Sequence, residues 1–234
     1  MAKVRKAAQI IEEQILEWKH RHTTTSSRAP KKHTYPIITI SREFGARGAA
    51  FASHLARKIG YKVWDKDLLQ AITEEVGAGL KTVESVDERR RQTVEDTVTG
   101  FFHNIPTNVS YLRSLIRVVS TIEEFGNSII VGRGANYICK NPKALHVKIV
   151  SPLKFRIEDY AKRENISTTE VKRLIESKDN ERREFIYQNF HRDMNESSDY
   201  DIVINANSFT LDEMAEMVIH AYEKKAGILV KVYE

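Results

Sequence analysis

The sequence predicts an α/β fold: a five-stranded parallel sheet with helices on both faces, preceded by one amphipathic helix. Three observations predict it. Short apolar runs alternate with longer helical patterns, which is the signature of βαβ units. The stretch Pro36 to Gly60 reads as a buried strand, a glycine-punctuated loop and an amphipathic helix in direct succession. A chain of 234 residues with 41% hydrophobic content can bury one full core, so a single decorated domain accounts for its length.

Taken in order, residues 4–18 place Val4, Ala7, Ala8, Ile11, Ile15 and Trp18 at helical spacing, with Glu12, Glu13 and Glu17 turned away. Residues 1–22 are therefore expected to form an amphipathic helix. It covers either a patch of its own chain or a contact with another subunit, which would make a homo-oligomer. Residues 23–35 carry Thr-Thr-Thr-Ser-Ser-Arg-Ala-Pro-Lys-Lys, with no apolar period, and read as a linker. The body spans 36–234. Its expected strands are 37–40, 62–64, 128–131, 145–150 and 201–205. Between the second and third, 80–125 is helical in composition. There Tyr111, Leu112, Leu115, Ile116, Val119, Ile122 and Phe125 mark one apolar face, ending at Gly126-Asn127, a natural C-cap.

The formal charge of +5 resides in the arm, because residues 1–35 hold eight Lys/Arg against three acids and the body is balanced. Nucleic acid is not an expected partner, since Trp18 and Tyr35 are the arm's aromatics and stacking would be sparse. A single cysteine, Cys139, allows no internal disulfide, reads as structural and fits a reducing compartment. No apolar run approaches the roughly 18 residues a membrane span needs, and the N-terminus has no signal-peptide pattern. The expected location is cytoplasmic, without membrane contact. His20, His22 and His33 in a basic arm read as solvated, no metal site is expected, and Asp87-Glu-Arg-Arg-Arg91 reads as a solvated helix face.

The loop after the first strand carries the chemistry. A loop between a strand end and a helix N-terminus aims unpaired N–H groups and the positive end of the helix dipole at an anion. The spacing of the familiar phosphate loop, Gly, four residues, Gly, Lys, Ser/Thr, is altered here. Arg42 stands at the first glycine, Gly45 and Ala46 mid-loop, Arg47 at the second glycine, Gly48 at the lysine and Ala49 at the hydroxyl residue. Two further strand ends bear on the same crevice: Trp64-Asp65, and Val131-Gly-Arg-Gly-Ala135, where Arg133 lies between glycines.

With Ile38-Thr-Ile-Ser-Arg-Glu-Phe-Gly45, Leu55-Ala-Arg-Lys-Ile-Gly60 and Tyr200-Asp-Ile-Val-Ile-Asn205, these segments resemble the cytidylate kinase-like family of P-loop nucleoside monophosphate kinase relatives, over roughly 36–224. The resemblance implies ATP and Mg²⁺, a monophosphate-binding insertion at 66–125 and an arginine-bearing lid at about 155–195. It implies that Arg42, Gly45, Ala46, Arg47, Gly48 and Ala49 hold the donor phosphates and that Arg133 grips the acceptor. Arg133 could instead pair at a strand end. Relatives carry Asp after Gly-Arg, where this chain has Gly134. Asp65 would serve Mg²⁺-bound water or the acceptor, or simply cap the next helix. Lid candidates are Arg156, Arg163, Arg182 and Arg183, with Arg156 and Arg182 first. Arg47 is the natural replacement for the missing lysine. The expected activity is phosphorylation of a nucleoside monophosphate, CMP or dCMP. The alternatives are a catalytically weak or inactive nucleotide-binding sensor or partner module, and a nucleic-acid binder using the arm.

Overall fold

The computed structural model describes residues 37–66, 69, 94, 96–99 and 109–233, and all five expected strands form within them. The expected helix at 1–22, the linker at 23–35 and the 87–91 run lie outside the described residues. Two compact units are distinguished: Pro36–Val63 with Ile129–Glu234, and a second that takes in Trp64–Ser128.

The strands are β1 (Ile37–Arg42), β2 (Lys62–Trp64), β3 (Ser128–Val131), β4 (Leu145–Val150) and β5 (Ile202–Asn205), in the sheet order β2-β3-β1-β4-β5. β1 sits centrally, and its apolar residues Ile37, Ile38 and Ile40 are fully buried, as a strand covered on both faces requires. It runs two residues past the expected end at Ile40, because Ser41 and Arg42 keep parallel register with Lys148 and Ile149 of β4. β4 in turn pairs parallel with β5, Val147 opposite Ile202.

In the larger unit, α1 (Gly48–Ile59) follows β1 and ends at Gly60, whose φ of 67° is the left-handed cap expected there. α1 and α6 (Leu211–Ala226) pack on each other, α1 against β1 and α6 against β4. Ile40, Phe51, Leu55, Val147, Ile149, Met214, Val218 and Tyr222 form that core, each large apolar side chain contributing about 1.5–3 kcal/mol by burial. α6 begins in a capping box between Thr210 and Glu213. A short helix, α3 (Ala135–Ile138), follows β3, and its last turn leads to Cys139, which is buried as a structural cysteine would be. α4 (Leu153–Glu164) and α5 (Thr168–Phe190) form a helical hairpin. Asn165 closes α4 at φ 55°, and Ser167 caps α5 by accepting the Glu170 N–H at 3.2 Å. The hairpin occupies the range expected of the lid.

The other unit contains α2 (Val109–Phe125), whose Leu112, Leu115, Ile116, Val119, Ile122 and Phe125 are buried as the sequence periodicity requires. The helix stops at Gly126, φ 66°, and Asn127, φ 47°. Trp64 donates to Ser128 Oγ at 3.1 Å, and Ser128 Oγ donates to the Gly126 carbonyl at 2.8 Å.

A candidate phosphate-binding site at the end of β1

α1 begins directly after Arg47, with no side-chain cap and no acidic residue in its first turn. Its first helical hydrogen bond runs from the Phe51 N–H to the Arg47 carbonyl at 2.9 Å, so the amides of Gly48, Ala49 and Ala50 precede the helical ladder. Ala49 and Ala50 are exposed. That is an anion-attracting helix end.

The loop leading to it is held by the α4–α5 hairpin. Phe44 packs against the cluster of Ala161, Val171 and Ile175, its ring 5.2 Å from that of Tyr160. Its N–H donates to Asp179 Oδ1 at 2.7 Å, and its carbonyl accepts from Arg156 Nη1 at 2.9 Å. Arg182 Nη1 donates to the Arg42 carbonyl at 3.0 Å, with its guanidinium over the Phe44 ring. Glu43 accepts the Ser151 N–H at 2.8 Å. Gly45, at φ 80°, packs so closely that a Cβ there would stand 3.3 Å from Arg156 Cβ. Ala46 is fully buried, and its N–H turns back to the Glu43 carbonyl at 3.4 Å.

Arg156 has a different setting from the phosphate contact expected of it. It is buried, with Nε on the Ser151 carbonyl at 3.0 Å and Nη1 shared between Phe44 and Asp179 Oδ2, the latter at 2.5 Å. It clamps the loop to the hairpin. Arg182 is three-quarters covered, and burial lowers its pKa against the opposing pull of Asp179 and Glu181. Arg163 turns to Asp159 and Glu164. Arg183, bonded to Asn180, lines a cavity of about 470 Å³ with Leu153, Arg156, Ile175, Glu176, Asp179 and Asn180.

Arg47 is in the left-handed region at φ 57°. Its guanidinium makes a two-point contact with Asp159 and lies over the Phe155 ring. That pairing raises the pKa of Arg47 and holds the Asp159 carboxyl below the usual carboxylate range.

The β3 turn meets the same strand end. The Gly132 N–H donates to the Ile40 carbonyl at 3.0 Å, and the Arg42 side chain runs from Gly48 of α1 to Gly132, where its guanidinium occupies the space a Cβ would need. Arg133, at φ 54°, places its guanidinium over the Phe185 ring. Gly134, at φ 67°, is covered so closely by the Phe190 ring that a Cβ could not fit. The aromatic end of α5 thus fills the space that a side chain at Gly134 would need. Asp65, in the other unit, is exposed directly after β2, and its carbonyl accepts the Leu69 N–H at 2.9 Å at the start of a helical turn.

Residues 37–208 match the Cytidylate kinase-like family. The chain belongs to this family. It is 24% identical over 193 residues to the cytidylate kinase of Pyrococcus abyssi (strain GE5 / Orsay), covering 80% of this chain and 96% of that enzyme. It is 22% identical over 140 residues to the uronate isomerase of Corynebacterium glutamicum, covering 60% of this chain and 27% of that enzyme, so it spans about a quarter of the isomerase's length. Among solved structures, an uncharacterized protein from Eubacterium ventriosum ATCC 27560 shares the fold at a TM-score of 0.60 and 20% identity, over 80% of this chain and 98% of the other.

For a member of the Cytidylate kinase-like family, the loop's cations are readable in the sequence and their carboxylate partners are not. Asp159 and Asp179 lie in helical runs dense in charge, where nothing local marks the acid that turns inward. A missed signal was Lys148, a lysine inside an apolar strand. It is buried, with Nζ on the Met194 carbonyl at 2.5 Å and on Asn195 Oδ1 at 3.2 Å. Burial lowers its pKa against the pull of Glu43, Asp193 and Asp179. Among the described residues, no cluster of three His, Cys, Asp or Glu side chains could hold a metal ion, and no helix is long and apolar enough to cross a membrane.

Proposed function

We propose that the protein catalyses ATP-dependent phosphorylation of a nucleoside monophosphate, CMP or dCMP, in the cytoplasm. The observation that carries this reading is the convergence at the end of β1. There Arg42 spans from the first residue of α1 to Gly132, joining the phosphate loop to the turn that bears Arg133.

In this reading the donor phosphates lie along Arg42, Gly45, Ala46, Arg47, Gly48 and Ala49, against the helix-end amides. Arg133 grips the acceptor phosphate, for which an always-charged planar fork is suited. Phosphoryl transfer asks for in-line positioning and neutralised charge, with no obligatory base. Arg47 and Arg182 supply the charge, and Arg156 holds the loop in shape. Without a hydroxyl at Ala49 or Ala50, water would take the place of the loop's own ligand to a nucleotide-borne Mg²⁺. Mg²⁺, when bound, draws charge from the transferred group.

A second reading, a weakly active or inactive nucleotide-binding sensor or partner module, is favoured by a specific set of contacts. The Phe44 amide, Arg156 and Arg47 are each engaged by the protein's own carboxylates. ADP release measured with ATP and a panel of monophosphates, beside calorimetric titration with ATP, separates the two. Turnover with CMP or dCMP is expected. ATP binding without turnover would establish the second reading, and no binding would defeat both.

A further inference from the structure

Arg47 faces a negative charge that belongs to the lid hairpin. Its Nε donates to Asp159 Oδ2 at 3.1 Å, and its Nη2 donates to Asp159 Oδ1. The carboxylate side chain is 15% exposed and the guanidinium side chain 41%. The same Oδ2 accepts a second donor, Arg163 Nη1, at 3.2 Å from the next turn of α4. One carboxylate thus serves two arginines. One is on the loop at an acid-free helix end, and the other is on the hairpin itself.

We propose that Asp159 is the loop's resident counter-anion, a positioning residue that holds Arg47 until a ligand polyphosphate takes its place, and so sets the loop's affinity for that class of ligand. The proposal rests on the reading of the loop as a phosphate site. Carboxylate and phosphate both match the guanidinium fork, so one can exchange for the other without rebuilding Arg47. A polyphosphate brings more charge and more oxygens than a carboxylate, and the amides of Gly48, Ala49 and Ala50 favour it further. After the exchange Arg163 still pairs with Asp159, so the displaced carboxylate is not stranded. A small monoanion has neither advantage and leaves the pair closed. Exchange removes one of the contacts of α4 with the loop, while Arg156 and Asp179 keep the hairpin anchored at Phe44.

The test is calorimetric titration of sodium tripolyphosphate into the full chain, comparing wild type with Asp159→Asn, Arg47→Ala and the double variant. Asp159→Asn is expected to tighten binding about three- to fivefold, the worth of an exposed ion pair. The gain should vanish at about 1 M salt, where surface charges are screened. In the Arg47→Ala background the same substitution should have no effect. Unchanged or weaker binding by folded Asp159→Asn overturns the proposal, as does an equal gain without Arg47. If Asp159→Asn does not fold, Arg163→Gln at a half-exposed position replaces it. Losing the standby partner should weaken tripolyphosphate binding about two- to threefold, and no change overturns the proposal. Absence of binding in wild type and every variant defeats the phosphate-site reading and the proposal with it. Wild-type binding with no response to Asp159 defeats the counter-anion alone.

Discussion

The side chain of Arg42 lies against the α-carbon of Gly48, where a Cβ would stand 2.6 Å from Arg42 Cβ and 2.8 Å from its Cγ. A side chain at position 48 therefore meets Arg42, and one of the two must shift. Gly48→Ala is expected to lower stability by about 1–3 kcal/mol through overpacking, and Gly48→Lys by no less. Thermal melts check it, and an unchanged melting temperature for Gly48→Lys would show that Arg42 can move aside.

Gly134 is similarly constrained by Phe190 and by its φ of 67°. Gly134→Asp should destabilise the fold. Adding Phe190→Ala should recover part of that loss relative to the sum of the single changes, because the two residues compete for one volume. Urea denaturation of the four proteins gives the coupling, and strict additivity would refute it.

Arg156 and Asp179 form a covered ion pair with both partners also on loop backbone. Arg156→Met leaves that carboxylate and the Phe44 and Ser151 carbonyls with lost partners, a loss of about 3 kcal/mol or more. Arg163→Ala, at a half-exposed pair, should cost less than about 1 kcal/mol. Equal melting temperatures for the two variants would contradict the clamp.

Acid sensitivity follows from Asp159. The Arg47 hydrogen bond lowers its carboxyl below the ordinary 3.8 in the folded chain. The stability this contributes is complete above about pH 4 and is lost as pH falls through the lowered folded value. The melting-temperature difference between wild type and Asp159→Asn should therefore be constant at neutral pH and shrink below about pH 4. A difference that grows on acidification would reverse the assignment.

At the β3 turn, Arg133→Ala should weaken acceptor monophosphate far more than ATP, by about 2–3 kcal/mol for one charge-assisted bidentate contact. Calorimetry with each ligand measures it, and equal weakening of both would argue against an acceptor-specific role.

The sheet was legible because each strand is a short run rich in Ile, Val and other apolar residues, set between longer helical patterns. β5 begins one residue later than the run suggests, since Asp201 turns its side chain to the His146 N–H and Lys225. The site was legible only in its cations. Arg47 meets Asp159 across 112 positions and Phe44 meets Asp179 across 135, so local spacing holds no trace of either pair. Asp179 lies in Lys-Asp-Asn-Glu-Arg-Arg, where helix packing alone decides which acid turns inward. Gly48 and Gly134 stand in the sequence where a lysine and an aspartate are expected, whereas the structure uses them as room for Arg42 and Phe190.

Arg47 and Arg133 share one backbone feature, a left-handed conformation that an L-residue enters at a penalty of about 1 kcal/mol or more. Glycine would enter it freely. Arg47→Gly and Arg133→Gly should thus relieve local strain even as they delete the cations, whereas alanine deletes the cations and keeps the strain. A chain selected for durability alone would drift toward glycine at both positions. The arginines at 47 and 133 thus set charge at these two turns at some cost in robustness.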